Sequence, residues 1–315
     1  MAQDGQSVGR YEGRFAGVNH EELDRAAKIL LNGGLVAFPT ETVYGLGANA
    51  LDPAAVARIY EVKQRPFASP VIVHVADEAM ARAVTAEWPE RAQVLAKKFW
   101  PGPLTLVLRK AEAIPSLVTA GLPSIGIRVP AHPIALALIR RAGIPIAAPS
   151  ANRFSEISPT TAAHVRQSLG DRVDMILDGG PTQVGIESTV ASLVRVPPAV
   201  LRPGMISLHE LETATGVPWD REKDVPHISE SPGLYPRHYA PRTPFYVLEP
   251  SAKPPAGRGR ILQMPADVEA YAHRLYSELH QADSEGWDWI AVIQPQDNPD
   301  WSGVLDRLRR ASTLG

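Results

Sequence analysis

Cysteine is absent from all 315 residues. That excludes disulfides, thiolate metal sites and cysteine nucleophiles together, and it fits a reducing compartment. Charge of one sign is also lacking: the net charge is −2 and the pI about 6.5, which argues against a protein whose main task is to coat nucleic acid. No apolar run approaches the ~20 residues of a membrane span. The first residues, Met1 to Ser7, are polar and lack the apolar stretch of a signal peptide, so a soluble, cytoplasmic protein is expected. No Gly-Lys-Ser/Thr phosphate loop occurs, and the nine histidines include no His-Glu-x-x-His pair. No dedicated metal site is therefore expected; magnesium would arrive with phosphates.

What the chain does have is proline, 30 residues, above the ~5% norm, and thus many rigid turns. At 44% hydrophobic content it can bury a sizeable core and is long enough for two domains. Residues 1–17 read as a tail. Asn19 with Glu22 forms a capping signature before the helical stripe Leu23, Ala26, Ala27, Leu30 and Leu31. Strands are expected at Leu35–Phe38, Val71–Val75, Leu104–Leu108, Ile125–Val129, Ile144–Ala148, Met175–Leu177, Thr189–Leu193 and Val200–Leu201. Helices are expected after Pro53 and over 89–99, 133–142 and 160–169. Some strands follow one another directly, so the sheet should be mixed. Residues 217–244 hold six prolines and no apolar periodicity, which describes a linker. A small unit over 245–315 follows, with strands Phe245–Leu248 and Trp289–Ile293 and helices over 266–281 and 301–311.

Four polar segments break the apolar pattern. The segment from Phe38 to Gly47 piles hydroxyls, a carboxylate and two glycines onto a turn at the end of a buried strand, where α/β proteins usually build sites. It imitates a dinucleotide fingerprint, with Asp77 as the ribose-binding acid. The glycines come too late after the strand for that motif. Lys63-Gln64-Arg65 precedes Pro66. Its plain reading is cations complementing an exposed helix end, worth ~0.3–1 kcal/mol. Against that, Pro66 should make the segment extended, with both cations on one side, and an ammonium beside a guanidinium suits a polyphosphate. Ser150-Ala151-Asn152 is either an ordinary turn or a hydroxyl and an amide clamping ribose or phosphate. Gly185-Ile186-Glu187-Ser188-Thr189-Val190 lacks the nucleophile elbow of a hydrolase, so Ser188 is read as orienting a substrate. His74, inside an apolar strand, reads by itself as a core histidine.

Taken together, Pro39 to Gly47, Lys63-x-Arg65, Trp100-Pro101-Gly102-Pro103-Leu104-Thr105, Ser150-Ala151-Asn152, Leu177-Asp178-Gly179-Gly180 and Leu201-Arg202-Pro203-Gly204 resemble the threonylcarbamoyl-AMP synthases in order and spacing. The YrdC-like resemblance covers roughly residues 15–215, and Ser231 to Pro241 resembles the linker of the two-domain members. It implies a twisted mixed α/β sheet flanked by helices over 18–216, a proline-rich lid over 217–244 and a small Rossmann-like α/β domain over 245–315. The implied activity is a nucleotidyltransferase that makes L-threonylcarbamoyl-AMP and pyrophosphate from L-threonine, bicarbonate or CO2, and ATP. Its product would pass to the machinery that threonylcarbamoylates tRNA. Magnesium would come with ATP, with no organic cofactor and weak or no direct tRNA binding.

By the same resemblance Thr42, His74, Arg128 and Ser188 would bind threonine. Lys63, Arg65, Ser69, Ser124, Ser150, Asn152, Thr160, Arg202, His238 and Tyr239 would bind ATP, with Lys63 and Arg65 acting electrostatically in catalysis. The chain departs from the family where Ser69 replaces a common asparagine and where Phe154-Ser155-Glu156-Ile157 replaces a commoner Ser-Gly-x-Pro run. The C-terminal unit also looks short between Leu248 and Ile261. Two rival readings are a non-catalytic RNA-binding module of the same fold and a transferase using carbamoyl-adenylate. The acidic pI and the lack of paired aromatics on strands weigh against the first. The absence of the extra domains such transferases carry weighs against the second.

Overall fold

A computed structural model describes residues 18–221 and 237–313. The tail assigned to 1–17 and linker residues 222–236, Tyr235 included, lie outside the described residues. The strands are β1 (Val36–Phe38), β2 (Gly45–Asn49), β3 (Val73–His74), β4 (Leu104–Arg109), β5 (Ser124–Arg128), β6 (Ile146–Ala147), β7 (Met175–Ile176), β8 (Thr189–Ser192), β9 (Ala199–Arg202), β10 (Asp220–Arg221), β11 (Phe245–Leu248), β12 (Gly259–Ile261) and β13 (Trp289–Ile293). The helices are α1 (His20–Leu31), α2 (Pro53–Lys63), α3 (Glu78–Ala83), α4 (Glu90–Phe99), α5 (Pro133–Ala142), α6 (Ala162–Leu169), α7 (Leu208–Thr215), α8 (Val268–Ser284) and α9 (Ser302–Ala311).

A ten-stranded sheet runs β10-β9-β8-β4-β5-β3-β6-β2-β1-β7 and mixes parallel with antiparallel pairs, while β11-β13-β12 form a second, parallel sheet. The apolar run Leu35–Phe38 is continuous because both faces of β1 are covered. Leu35 and Ala37 enter one core with Val56, Ile59 and Leu106, whereas Val36 and Phe38 enter another with Leu23, Leu30 and Leu138. Helices therefore flank the large sheet on both sides. Around the small sheet, α8 and α9 pack Leu275, Leu279, Val304 and Leu308 into a third core. That core also takes Val43, Ile157 and Ile186 from the first lobe, so the two lobes share apolar interior.

Several local expectations change. Gly45–Asn49 is a strand paired to both β1 and β6, not a turn. Its glycines permit close packing: a Cβ on Gly47 would lie 2.8 Å from both Ile146 and Phe38 side chains. Asp77 caps α3 by accepting from Met80 N at 2.9 Å, a helix the apolar pattern does not signal because of its six residues only Ala81 is buried. Ser207 and Glu210 form a capping box for α7, also unassigned from sequence. Within the segment read as linker, Trp219 is buried and Asp220–Arg221 pairs with β9. In the C-terminal unit, β12 occupies the stretch that looked short and supplies the third strand.

Candidate active site

Parallel β3 and β5 place His74 and Arg128 in register at their carboxyl ends, where open α/β sheets collect ligands. The β1–β2 connection folds back over them. Thr40 Oγ1 accepts from the amides of Thr42 and Val43, both at 3.2 Å, and donates to Val43 O at 2.6 Å. This compact turn presents the Thr42 hydroxyl to Arg128 Nη1, which donates to it at 2.9 Å. Ser188 enters just before β8, its hydroxyl 2.8 Å from that of Thr105 on β4. Arg202 ends β9 and donates through Nε and Nη2 to Ser188 O at 3.2 and 3.1 Å. The resulting cavity is an open one, about 520 Å³ when the solvent at its mouth is counted in. Of the expected site residues, Thr42, Arg65, His74, Arg128, Ser150, Ser188, Arg202, His238 and Tyr239 line it.

Five others lie outside that lining. Lys63 is buried, and its ammonium donates to Ser150 O at 2.6 Å and to Asn152 O. Arg65 is buried as well, bonded to the Ser69 hydroxyl and, at 2.9 Å, to Pro70 O. The expectation of two cations at an exposed, extended helix end is thus corrected. Gln64 takes a left-handed conformation, φ 54°, ending α2 by a tight turn that sends both cations inward. Ser69 serves as an acceptor for Arg65. Asn152 and Ser150 do not share a side: the Asn152 amide turns away to donate to Arg153 O and Glu156 O at 2.8 and 2.9 Å. Thr160 is buried beside His164, its amide 3.3 Å from the ring Nδ1. Ser124 begins β5 four residues before Arg128, about 13 Å away along an extended strand.

Burial sets the protonation states. His74 is pushed down to about 3, first by burial and then by the Arg128 charge, so its ring is neutral. Phe38 meets that ring edge-on at 6.0 Å. Burial, with the Arg65 charge beside it, holds the Lys63 ammonium well below the usual lysine range. Burial and the Arg65 and Lys63 charges do the same to His238. His238 stands between the Phe154 ring at 5.6 Å and the Tyr239 ring at 4.1 Å. Tyr239 adopts φ 62°, and the flanking main chain is pinned by His238 N to Arg310 O and Ala240 N to Ser155 O, both 3.0 Å. Three buried polar atoms on the cavity wall, His74 Nδ1, His238 Nδ1 and Tyr239 Oη, lack a hydrogen-bond partner among the described residues. Such atoms are costly unless something polar reaches them.

Two carboxylates that sequence reasoning passed over stand at the site. Glu41 makes a buried ion pair with Arg128 at 2.5 Å and accepts from Ala131 N at 3.0 Å. Glu187 lines the cavity, accepts from Ser158 at 2.5 Å and Tyr276 at 3.1 Å, and pairs with Arg307 of α9 at 2.7 Å. Burial alone would raise its carboxyl, but the Arg307 and Arg202 guanidiniums outweigh that and hold it below the ordinary value. The signal available for both was their position inside polar segments already singled out. Tyr44 closes the same motif. Its hydroxyl donates to Gly180 O at 2.7 Å and accepts from Gly179 N at 3.2 Å, tying the first motif to the Leu177–Gly180 turn. Among the described residues no cluster of three or more His, Asp or Glu could hold a metal ion, and no helix is long and apolar enough to cross a membrane.

Residues 28–204 match the family profile described as "Telomere recombination", the Sua5/YciO/YrdC type, and residues 206–313 match that of the threonylcarbamoyl-AMP synthase C-terminal domain. The chain is 42% identical to a threonylcarbamoyl-AMP synthase of Pyrococcus abyssi, over 91% of this chain and 93% of the relative. It is 48% identical to one of Bacillus subtilis, over 74% and 68%. The crystal structure of P. abyssi Sua5 complexed with L-threonine superposes with a TM-score of 0.86 at 38% identity, covering 94% of this chain and 95% of that one. Escherichia coli YciO covers 61% of the chain at 25% identity and a TM-score of 0.55. A match across both lobes at these identities decides the matter: the chain belongs to the threonylcarbamoyl-AMP synthase family, in its two-domain form.

Proposed function

We propose that this chain condenses L-threonine, bicarbonate or CO2, and ATP into L-threonylcarbamoyl-AMP and pyrophosphate. The product is an activated carbamoyl donor for the machinery that modifies tRNA, and the chain itself needs little or no contact with tRNA. A cytoplasmic setting, where ATP and tRNA meet, belongs to the same reading. The observation that carries it is the convergence of buried cations and orphaned polar atoms on one cavity, within a fold whose P. abyssi relative is described with L-threonine bound.

Threonine's carboxylate would face Arg128. Its Nη1 keeps a second N–H beside the one given to Thr42, and its Nη2 makes only a charge contact with Glu41, so both nitrogens can serve a bidentate anion. Thr42, neutral His74 and Ser188 would take the hydroxyl and the amine. Lys63, Arg65 and Arg202 would face the phosphates. Ser69, Ser124, Ser150, Asn152, Thr160, His238 and Tyr239 complete the proposed ATP set, the last two closing over the nucleotide. The carboxylate of N-carboxy-threonine attacks the α-phosphorus and pyrophosphate leaves. Since the attacking group is already an anion, the work left is alignment and charge neutralisation. Glu41 and Glu187 are each held by an arginine, so the donor set suits magnesium brought on the phosphates rather than caged by protein. When bound, that ion would share the neutralisation of phosphate charge.

The test is pyrophosphate release dependent on ATP and bicarbonate, with threonine, serine or valine. A methyl group is worth only ~1–3 kcal/mol to a pocket, whereas a site built to hydrogen-bond a hydroxyl rejects analogues lacking it far more strongly. Threonine should react fastest, serine weakly and valine not at all. Equal rates for valine and threonine would refute the pocket, and release that needs carbamoyl phosphate in place of bicarbonate and amino acid would favour carbamoyl-adenylate chemistry.

A further inference from the structure

The C-terminal lobe makes one contact that mere attachment does not require. Arg307 on α9 has no solvent exposure. Its Nε donates to Glu187 Oε2 at 2.7 Å, its Nη2 to the main-chain carbonyl of the same residue at 3.2 Å, and its Nη1 to Pro203 O at 2.9 Å. One guanidinium thus grips the residue before Ser188 and the residue after Arg202. Those two are themselves joined, Arg202 donating to Ser188 O. We propose that Arg307 is a positioning residue of the active site, holding Ser188 and Arg202 through Glu187 and Pro203 in the geometry the substrates need. The proposal rests on the reading of Ser188 and Arg202 as threonine and nucleotide ligands.

Attachment is already provided by apolar packing, since Val43, Ile157 and Ile186 sit in the core built around α8 and α9. A buried ion pair roughly breaks even against apolar side chains of similar size, so it adds little to attachment. What a planar fork adds is orientation, because its donors leave in fixed directions. The approach of α9 is close enough to deliver that fork. Gly303, one turn before Arg307, lies where a Cβ would meet Gly204 O at 2.7 Å. Asp306 bonds Arg307 at 3.0 Å, while Ser158 and Tyr276 bond Glu187 at 2.5 and 3.1 Å.

The experiment uses the full chain with Arg307→Met, the double change Arg307→Met/Glu187→Gln, and Arg307→Lys, each followed by thermal unfolding and by KM and kcat in threonine-dependent pyrophosphate release. Arg307→Met alone strands a buried carboxylate and should lower Tm. The double variant removes both charges and should recover most of that loss, yet keep a KM for threonine raised roughly tenfold to a hundredfold, the scale of a sub-ångström to one-ångström misplacement. Arg307→Lys keeps the charge but not the fork and should show the same raised KM. Kinetics that recover together with Tm in the double variant would make the pair a simple latch and overturn the proposal. So would a lysine variant with wild-type KM, or one that fails to fold. If wild-type protein itself ignores threonine, it is the functional reading that falls instead.

Discussion

Lys63 is in a setting that opposes its own charge. It is buried, another cation lies two residues on, and two of its three donors are given to the Ser150 and Asn152 carbonyls. A polyphosphate brought alongside would favour the charged ammonium. Free protein therefore holds fewer protons than its ATP complex at pH values between the depressed pKa of the free site and the higher one of the complex. We predict proton uptake on binding ATP within that window, with affinity falling as pH rises through the pKa of the complex. Calorimetry in buffers of different ionisation enthalpy should detect it in wild type and lose it in Lys63→Met; equal proton counts before and after binding would contradict the assignment. The same burial changes what substitutions cost. Removing the lysine leaves two buried carbonyls unpaired, ~1–3 kcal/mol each, so any such variant needs its fold checked beside its activity.

Glycines at the lobe boundary show what an element can and cannot reveal in sequence. Gly303 begins the second residue of α9, where glycine is a poor helix former, yet a side chain there would meet the main chain of Gly204 at 2.7–3.0 Å. We predict that Gly303→Ala lowers Tm by several degrees through displacement of α9, read by calorimetry; a Tm within about one degree of wild type would show that the helix shifts freely. Elements with a long periodic face or a cap were legible: α1 from Asn19 and its apolar stripe, β1 from the run Leu35–Phe38, and α8 from Ala272, Leu275, Tyr276 and Leu279. The strand β2 was not, because Gly45 and Gly47 look like a turn until Phe38 and Ile146 are seen pressing on them. At the site, the clustered hydroxyls and cations of the motifs were legible in type, though not in burial. Glu41 and Glu187 escaped notice because their partners are 87 and 120 residues away, the first by 128 − 41. Pairing across such distances belongs to the sheet order rather than to any local pattern.

Across the molecule, burial depresses the pKa of His74, His132, His164, His238 and His280 below the ordinary 6.5. Unfolded, these rings take up protons as pH falls through 6.5, whereas folded they resist until about 3 for His74 and about 4 for His164 and His280. Stability should therefore be complete above pH 6.5 and decline steadily below it, before the carboxylates contribute their own loss. Urea midpoints at pH 7.5, 6.5 and 5.5 test this, and a flat series would contradict it. The shared interior of the two lobes has a further consequence, for synthesis. A chain emerging from the ribosome would complete the motifs from Thr40 to Arg202 while Glu187 still lacked its ion-pair partner, because Arg307 is translated 120 residues later. Domains generally fold as they emerge, but here the first lobe would wait, with a charged residue facing an unfinished wall. A nascent chain interrupted before α9 would thus carry every signature motif of the family with the Glu187 wall unfinished, and should handle threonine poorly.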